Sequence, residues 1–265
     1  MIGARGDTVT GIWRAAAERR RGTHATPSRA AGWTVVILGG IGTDDRAALL
    51  VPDSLPVGVL AVSWPWKGPR RMNQVEFAAN APAMRAALLR TPPALARGIE
   101  AVRRISPGSR VALIGASLGV PPTVAALPLA RVDALVLVDG AADLERLLRS
   151  EAVRELGEGW VAAGLAGISA PVAAWMLSPL EPSRHAAAAR EAPTLLVDAE
   201  RETRIPRACV TALHAAFPHA SRATHPGGHL RPEDPRQMRS ILATVWRWLN
   251  GPALGRPPGA RLAQQ

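Results

Sequence analysis

The sequence predicts an α/β fold: a mostly parallel sheet sandwiched by helices, with a small helical cap insertion. Three observations carry that expectation. Short apolar runs recur at Trp33 to Leu38, Val57 to Val62, Val132 to Val138 and Thr194 to Val197, and their polarity pattern suits strands covered on both faces. Stretches with helical spacing separate them. Several runs end in glycines or a carboxylate, as at Gly39-Gly40 and Asp139-Gly140, at the strand ends where such sheets build their sites.

At 265 residues the chain fits one domain with a sizeable core. Residues 1–32 read as a basic, poorly ordered arm with one helical turn around Ile12 to Ala17, because Arg19-Arg20-Arg21 and Pro27 interrupt any sustained period. The domain proper runs from 33 to 250, and a Pro/Gly/Arg-rich flexible tail covers 251–265. After the first strand, G-G-I-G-T at 39–43 turns tightly and leaves backbone amides pointing outward. The prolines of Ser63 to Pro69 make that stretch a loop, where Trp64 and Trp66 either wall a pocket or pack against neighbouring loops.

Gln74 to Arg90 has a helical pattern. A second helix is expected to start at Thr91 as N-cap with Pro92 in its first turn, carrying Leu95, Ile99 and Val102 on one face. Val120 to Ala130 continues as helix despite Pro121 and Pro122, which a first turn tolerates. Residues 141–192 break the strand–helix rhythm with two or three short helices, read as a small cap over the site or an elongated crossover. Cys209 lies with Val210, Leu213 and Phe217 on the inner face of a helix opened by Pro206, as a small core residue. Arg222 to His225 is a short last strand. Asp234 caps a final helix whose apolar face holds Met238, Ile241, Leu242, Val245 and Leu249.

The formal charge is +11, yet residues 1–32 carry six Arg against Asp7 and Glu18, and 251–265 carry Arg256 and Arg261. The body therefore keeps 11 − 4 − 2 = +5, and 31 of the 32 basic residues are Arg with Lys67 the exception, a pattern closer to coding bias than to a built basic face. No nucleic-acid partner is expected. No apolar run approaches the roughly 18 residues of a membrane span, and the first residues lack a signal-peptide core, so a cytoplasmic location is expected. A single cysteine excludes an internal disulfide and a cysteine zinc cluster, so neither metal nor cofactor is expected.

The chemistry concentrates at Val111 to Val120, V-A-L-I-G-A-S-L-G-V, which reads as a buried strand, a G-x-S-x-G turn and a helix. A serine on so sharp a turn is strained and held out of the backbone, and the glycines at 115 and 119 leave room for the crossing chain. Ser117 is therefore a candidate nucleophile. Acyl transfer by serine also needs a base, an acid that orients it, and amide donors for the oxyanion.

Downstream, Glu202 lies in P-T-L-L-V-D-A-E-R-E-T-R-I-P and His229 in G-G-H-L. Serine, acid and histidine in this chain order, in these contexts, resemble the α/β-hydrolase superfamily from about Trp33 to Leu249. That resemblance implies Ser117, Glu202 and His229 as the catalytic residues, with the oxyanion hole supplied by the Ile41 and Leu118 amides. Counting back from Pro206 selects Glu202, and the preceding Gly-Gly selects His229 over His225. Asp139, at the end of the preceding strand, is the alternative acid. The S-P-L-E-P segment at 178–182 is similar to the dienelactone hydrolase and prolyl-oligopeptidase-like esterase branch. Gly39 stands where the superfamily often has His, Glu202 and Ala199 replace the commoner Asp and Gly, and the usual amino-terminal antiparallel strands are not legible in 1–32. The implied function is a serine hydrolase of the carboxylesterase type acting on a small-molecule ester or thioester; the alternative is a catalytically silent binding protein on the same fold. Trp64, Trp66, Trp160 and Trp175 are candidate walls of an apolar acyl pocket.

Overall fold

The computed structural model describes residues 2–4, 7–16, 32–40, 43–69, 74–156, 160–251 and 254. A two-stranded antiparallel hairpin, β1 (Ile2–Ala4) with β2 (Asp7–Val9), precedes the main sheet. The main sheet has seven strands: β3 (Gly11–Arg14), β4 (Trp33–Leu38), β5 (Gly58–Val62), β6 (Arg110–Ala116), β7 (Ala134–Val138), β8 (Thr194–Ala199) and β9 (Ser221–His225). Their order is β3-β5-β4-β6-β7-β8-β9, with only β3 antiparallel.

The helical turn expected around Ile12 to Ala17 is thus a correction: Gly11–Arg14 is an edge strand. Ile12 packs on one face of the sheet and Trp13 on the other, an alternation that a helical turn cannot provide. Gly11 meets the Ala61 carbonyl so closely that a side chain has no room there.

The described residues form eight α-helices: α1 (Ala47–Leu50), α2 (Gln74–Ile105), α3 (Val120–Ala125), α4 (Leu144–Leu156), α5 (Trp160–Leu177), α6 (Pro182–His185), α7 (Arg207–Ala216) and α8 (Pro235–Leu249). Successive residues of the central strands feed opposite cores. Val36, Leu38, Leu113 and Leu137 join Leu95 and Ile99 of α2 and Leu213 of α7, whereas Val35, Ile37, Ile114 and Val136 join Ile241, Val245 and Leu249 of α8. Removing a leucine from such a site costs about 2–5 kcal/mol. Trp33 ties α8 down further, donating from Nε1 to the Leu249 carbonyl at 3.0 Å. Leu254, in the stretch read as a flexible tail, is buried, and its carbonyl accepts from Arg110.

The two helices expected to meet at Thr91 are one helix of 32 residues, α2, with Pro82, Pro92 and Pro93 inside it. Thr91 is buried and donates from Oγ1 to the Ala87 carbonyl at 3.0 Å, one turn back, instead of capping a new helix. Burial of Ala87, Leu95, Ile99 and Val102 holds the helix through the donors its prolines lack.

The stretch 141–192 contains no strand among its described residues; it is dominated by α4 and α5. Glu181 fixes its two ends together. Its carboxylate accepts from the Asp143 and Leu144 amides at 3.1 and 2.9 Å, capping α4, and from Ser183 N at 3.4 Å, capping α6. Arg85 of α2 donates to the Met176 carbonyl of α5 at 3.0 Å.

Candidate active site

Ser117 directly follows β6, at φ +53°, a left-handed conformation that costs a non-glycine residue about 1–3 kcal/mol. The turn is possible because its neighbours lack side chains. A Cβ on Gly119 would strike the Leu38 carbonyl oxygen, and one on Gly115 would come within 2.6 Å of Thr123 Oγ1. The pairing of Leu38 with Gly115 also sets the Gly39-Gly40 turn beside the elbow.

Three side chains from separate strand ends meet there. Ser117 Oγ is 2.8 Å from His229 Nε2, and His229 Nδ1 is 2.8 Å from Glu202 Oε2. When Nδ1–H donates to the carboxylate, Nε2 is left as the acceptor for the serine hydroxyl. Glu202 is anchored independently of the histidine: its Oε1 accepts from the Arg204 and Ile205 amides at 2.7 and 3.0 Å. These amides fix the carboxylate at the end of the longer Glu side chain. Partial burial alone would raise the Glu202 pKa, but the His229 hydrogen bond, the two amides and the His229 charge outweigh it, holding it at about 2.

Asp139, the alternative acid, sits at the end of β7 with another histidine. Its two carboxylate oxygens are each 3.0 Å from His225 Nε2, and Oδ2 accepts the Leu230 amide at 2.6 Å. Glu202, not Asp139, is the residue at His229 Nδ1. Asp139, Glu202 and His229 bring ligand-type atoms within 4.8 Å of one another, but these groups are engaged in the hydrogen bonds just described. Of the two amides implied for an oxyanion hole, Leu118 directly follows Ser117 at the cavity wall, and Ile41 lies outside the described residues.

A cavity of about 420 Å³ opens over Ser117 and His229, a size within the ordinary range for small-molecule sites. Leucine is the commonest residue of its wall: Leu88 of α2, Leu144, Leu147 and Leu148 of α4, and Leu177 and Leu180 at the far end of the 141–192 stretch stand beside Pro121, Pro122, Ile205 and the charged Glu151 and Arg204. Among the described residues, no tryptophan lines it. Trp64 is buried and donates to the Gly39 carbonyl at 2.9 Å, Trp66 packs beside the α2 side of the core, and Trp175 is 76% exposed. The Trp160 side chain lies outside the described residues. The leucines were present in the sequence as helical periodicity, but nothing there distinguished core-facing from cavity-facing positions. Gln237 was likewise missed, since its polar type conceals that it stands one turn before Ile241 on the buried stripe of α8; it is buried beneath the histidine loop.

The strand order, the elbow and the three converging strand ends define the α/β-hydrolase fold, and solved structures agree. The Thermus thermophilus protein TT1662 is 20% identical over 84% of this chain and 91% of its own, with a TM-score of 0.55. A Pyrococcus furiosus esterase is 16% identical over 83% and 82%, at 0.54. An acylaminoacyl peptidase superposes on 96% of this chain but only 43% of its own, at 17% identity and 0.56. No protein-family model and no curated protein sequence matches the chain. Among the described residues, no helix is long and apolar enough to cross a membrane.

Proposed function

We propose that the protein is a serine hydrolase that cleaves a carboxylic ester or thioester through an acyl-enzyme. The observation that carries this reading is the continuous hydrogen-bonded line Ser117–His229–Glu202, with 2.8 Å at both steps. His229 Nε2 takes the hydroxyl proton as Oγ attacks the carbonyl carbon. The negative charge that develops on the carbonyl oxygen falls to the Leu118 and Ile41 amides in this reading. His229 then returns the proton to the departing alkoxide or thiolate, and the bond to the leaving group breaks. Water, deprotonated by the same nitrogen, attacks the acyl-enzyme and frees the acid. Glu202 remains a carboxylate throughout and stabilises the transient imidazolium, which its lowered pKa favours.

The leucine-lined cavity supports an aliphatic substituent on the substrate. The esterase and the peptidase of like fold are hydrolases by name, and the proposed chemistry belongs to the same broad class. A fluorophosphonate probe should label the wild-type protein and not Ser117→Ala, and nitrophenyl esters should be turned over with a preference for aliphatic acyl chains. Absence of labelling, or equal labelling of Ser117→Ala, would overturn the reading in favour of a silent binding protein on this fold.

A further inference from the structure

Behind His229 lies a second acid–histidine pair that the proposed chemistry does not use. The side chains of Asp139 and His225 are both 0% exposed. Burying a carboxylate is costly unless charge and hydrogen bonds compensate it. Here the His225 ring faces both oxygens at 3.0 Å, and the Leu230 amide donates to Oδ2 at 2.6 Å. Asp139 accepts this place with its backbone at φ +46°, another left-handed non-glycine residue at the site.

The geometry points to a positioning role for the pair: Asp139 and His225 set where His229 stands. This inference rests on the hydrolase reading above. The peptide that Asp139 holds is the one immediately after His229. On the other side, Gln237 donates from Nε2 to the Gly228 carbonyl at 2.8 Å and accepts the Arg231 amide on Oε1 at 2.7 Å. Residues 228–231 follow β9 and lie outside its ladder, so these buried side chains do the work of strand partners. His225 Nδ1 faces the Pro226 carbonyl at 3.2 Å and Gln237 Nε2 at 3.5 Å, linking the two anchors. His229 itself faces Ser117, Glu202 and, within 4.8 Å, Asp139. Pairing with His225 balances the Asp139 charge beside that imidazole. Without His225 the carboxylate stands uncompensated and favours the charged, non-basic form of His229.

The test uses full-length Asp139→Asn, His225→Gln and the double variant, with ester kinetics across pH and thermal melting. Each single variant should lower kcat about 10- to 100-fold with KM within about twofold, since small misplacements of a catalytic group cost that much. His225→Gln should also move the acid limb of kcat/KM to higher pH. The double variant, which restores charge balance, should return that limb without recovering kcat. A pair that is only structural would lower the melting temperature and leave both the limb and kcat in place, which overturns the inference. If Asp139→Asn does not fold, His225→Gln alone decides through the limb. Wild-type protein that fails to react with fluorophosphonate would instead overturn the hydrolase reading, so the two failures are distinguishable.

Discussion

Gly119 lies directly beneath the Leu38 carbonyl oxygen, in a gap that no side chain can share. The contact joins the end of β4 to the turn that presents Ser117, so the elbow and the neighbouring Gly39-Gly40 turn are built against each other. The obstacle is backbone of a central strand and cannot swing aside. Gly119→Ala is therefore expected to destabilise the fold by about 1–3 kcal/mol, in the range of overpacked cores, and to misplace the serine. Gly40→Ala, whose added Cβ meets no atom within 4 Å among the described residues beyond its chain neighbours, should leave the denaturation midpoint nearly unchanged. Equal midpoints for the two variants in urea would contradict the steric account.

Glu202→Gln keeps the shape of the acid but removes the charge that holds the His229 Nδ1–H tautomer. Loss of roughly 10³- to 10⁴-fold in kcat is expected, the scale seen when a triad acid becomes its amide. Glu202→Asp shortens the reach between the Arg204 and Ile205 amides and the imidazole, so it should fall between wild type and the amide. If the aspartate matches wild type, the anchoring of Oε1 does not set the position of Oε2.

The same carboxylate shapes stability in acid. Its pKa is lowered from an ordinary 4.5 to about 2, so its contribution is present above pH 4.5 and is lost as pH falls through about 2. His225 has the opposite sign: burial alone would lower its pKa, but the hydrogen bond and charge of Asp139 raise it above the ordinary 6.5. Its contribution is full below pH 6.5 and fades as pH rises through the elevated folded value. His225→Gln should thus lower stability more at pH 5.5 than at pH 9. Chemical denaturation at the two pH values measures this directly, and an equal or reversed loss would refute it.

Leu148 on α4 contributes to the cavity wall over Ser117. Leu148→Trp should reduce kcat/KM for long-chain nitrophenyl esters at least about tenfold relative to acetate, because a few methylenes of lost pocket are worth that much discrimination. The ratio of the two substrates is the readout. An unchanged ratio would place the aliphatic group elsewhere.

Cys209 is fully buried on α7, and burial pushes its thiol up to about 11. The folded protein should react with a thiol reagent such as Ellman's only at the rate of its own opening. Rapid stoichiometric labelling under native conditions would contradict that placement.

The central strands and the Ser117 elbow were legible because their signals are local: apolar runs, glycines at fixed offsets, a capping Asp234 that accepts from the Arg236 and Gln237 amides at 2.9 and 3.2 Å. Glu202 and His229 were legible through the order and context of short motifs. What escaped depends on distant partners. Ile12 and Trp13 become strand only because β5 offers an edge, and Thr91 belongs to the middle of α2 because that face is buried. Asp139 could be placed at a strand end but not assigned to His225 rather than His229, since that choice is made across 86 residues of chain.

The cavity draws its floor and its wall from different parts of the sequence. Ser117 and His229 stand just beyond the ends of sheet strands, whereas Leu144, Leu147, Leu148, Leu177 and Leu180 all come from one uninterrupted stretch, clasped at its two ends by Glu181. On the proposed reading, reactivity is thus written at the strand ends and much of the preference in the passage between β7 and β8, with Leu88 of α2 and Ile205 completing the wall. In the proposed hydrolase, grafting a different helical pair between β7 and β8 would change which molecule is admitted while the proton path beneath it stays intact.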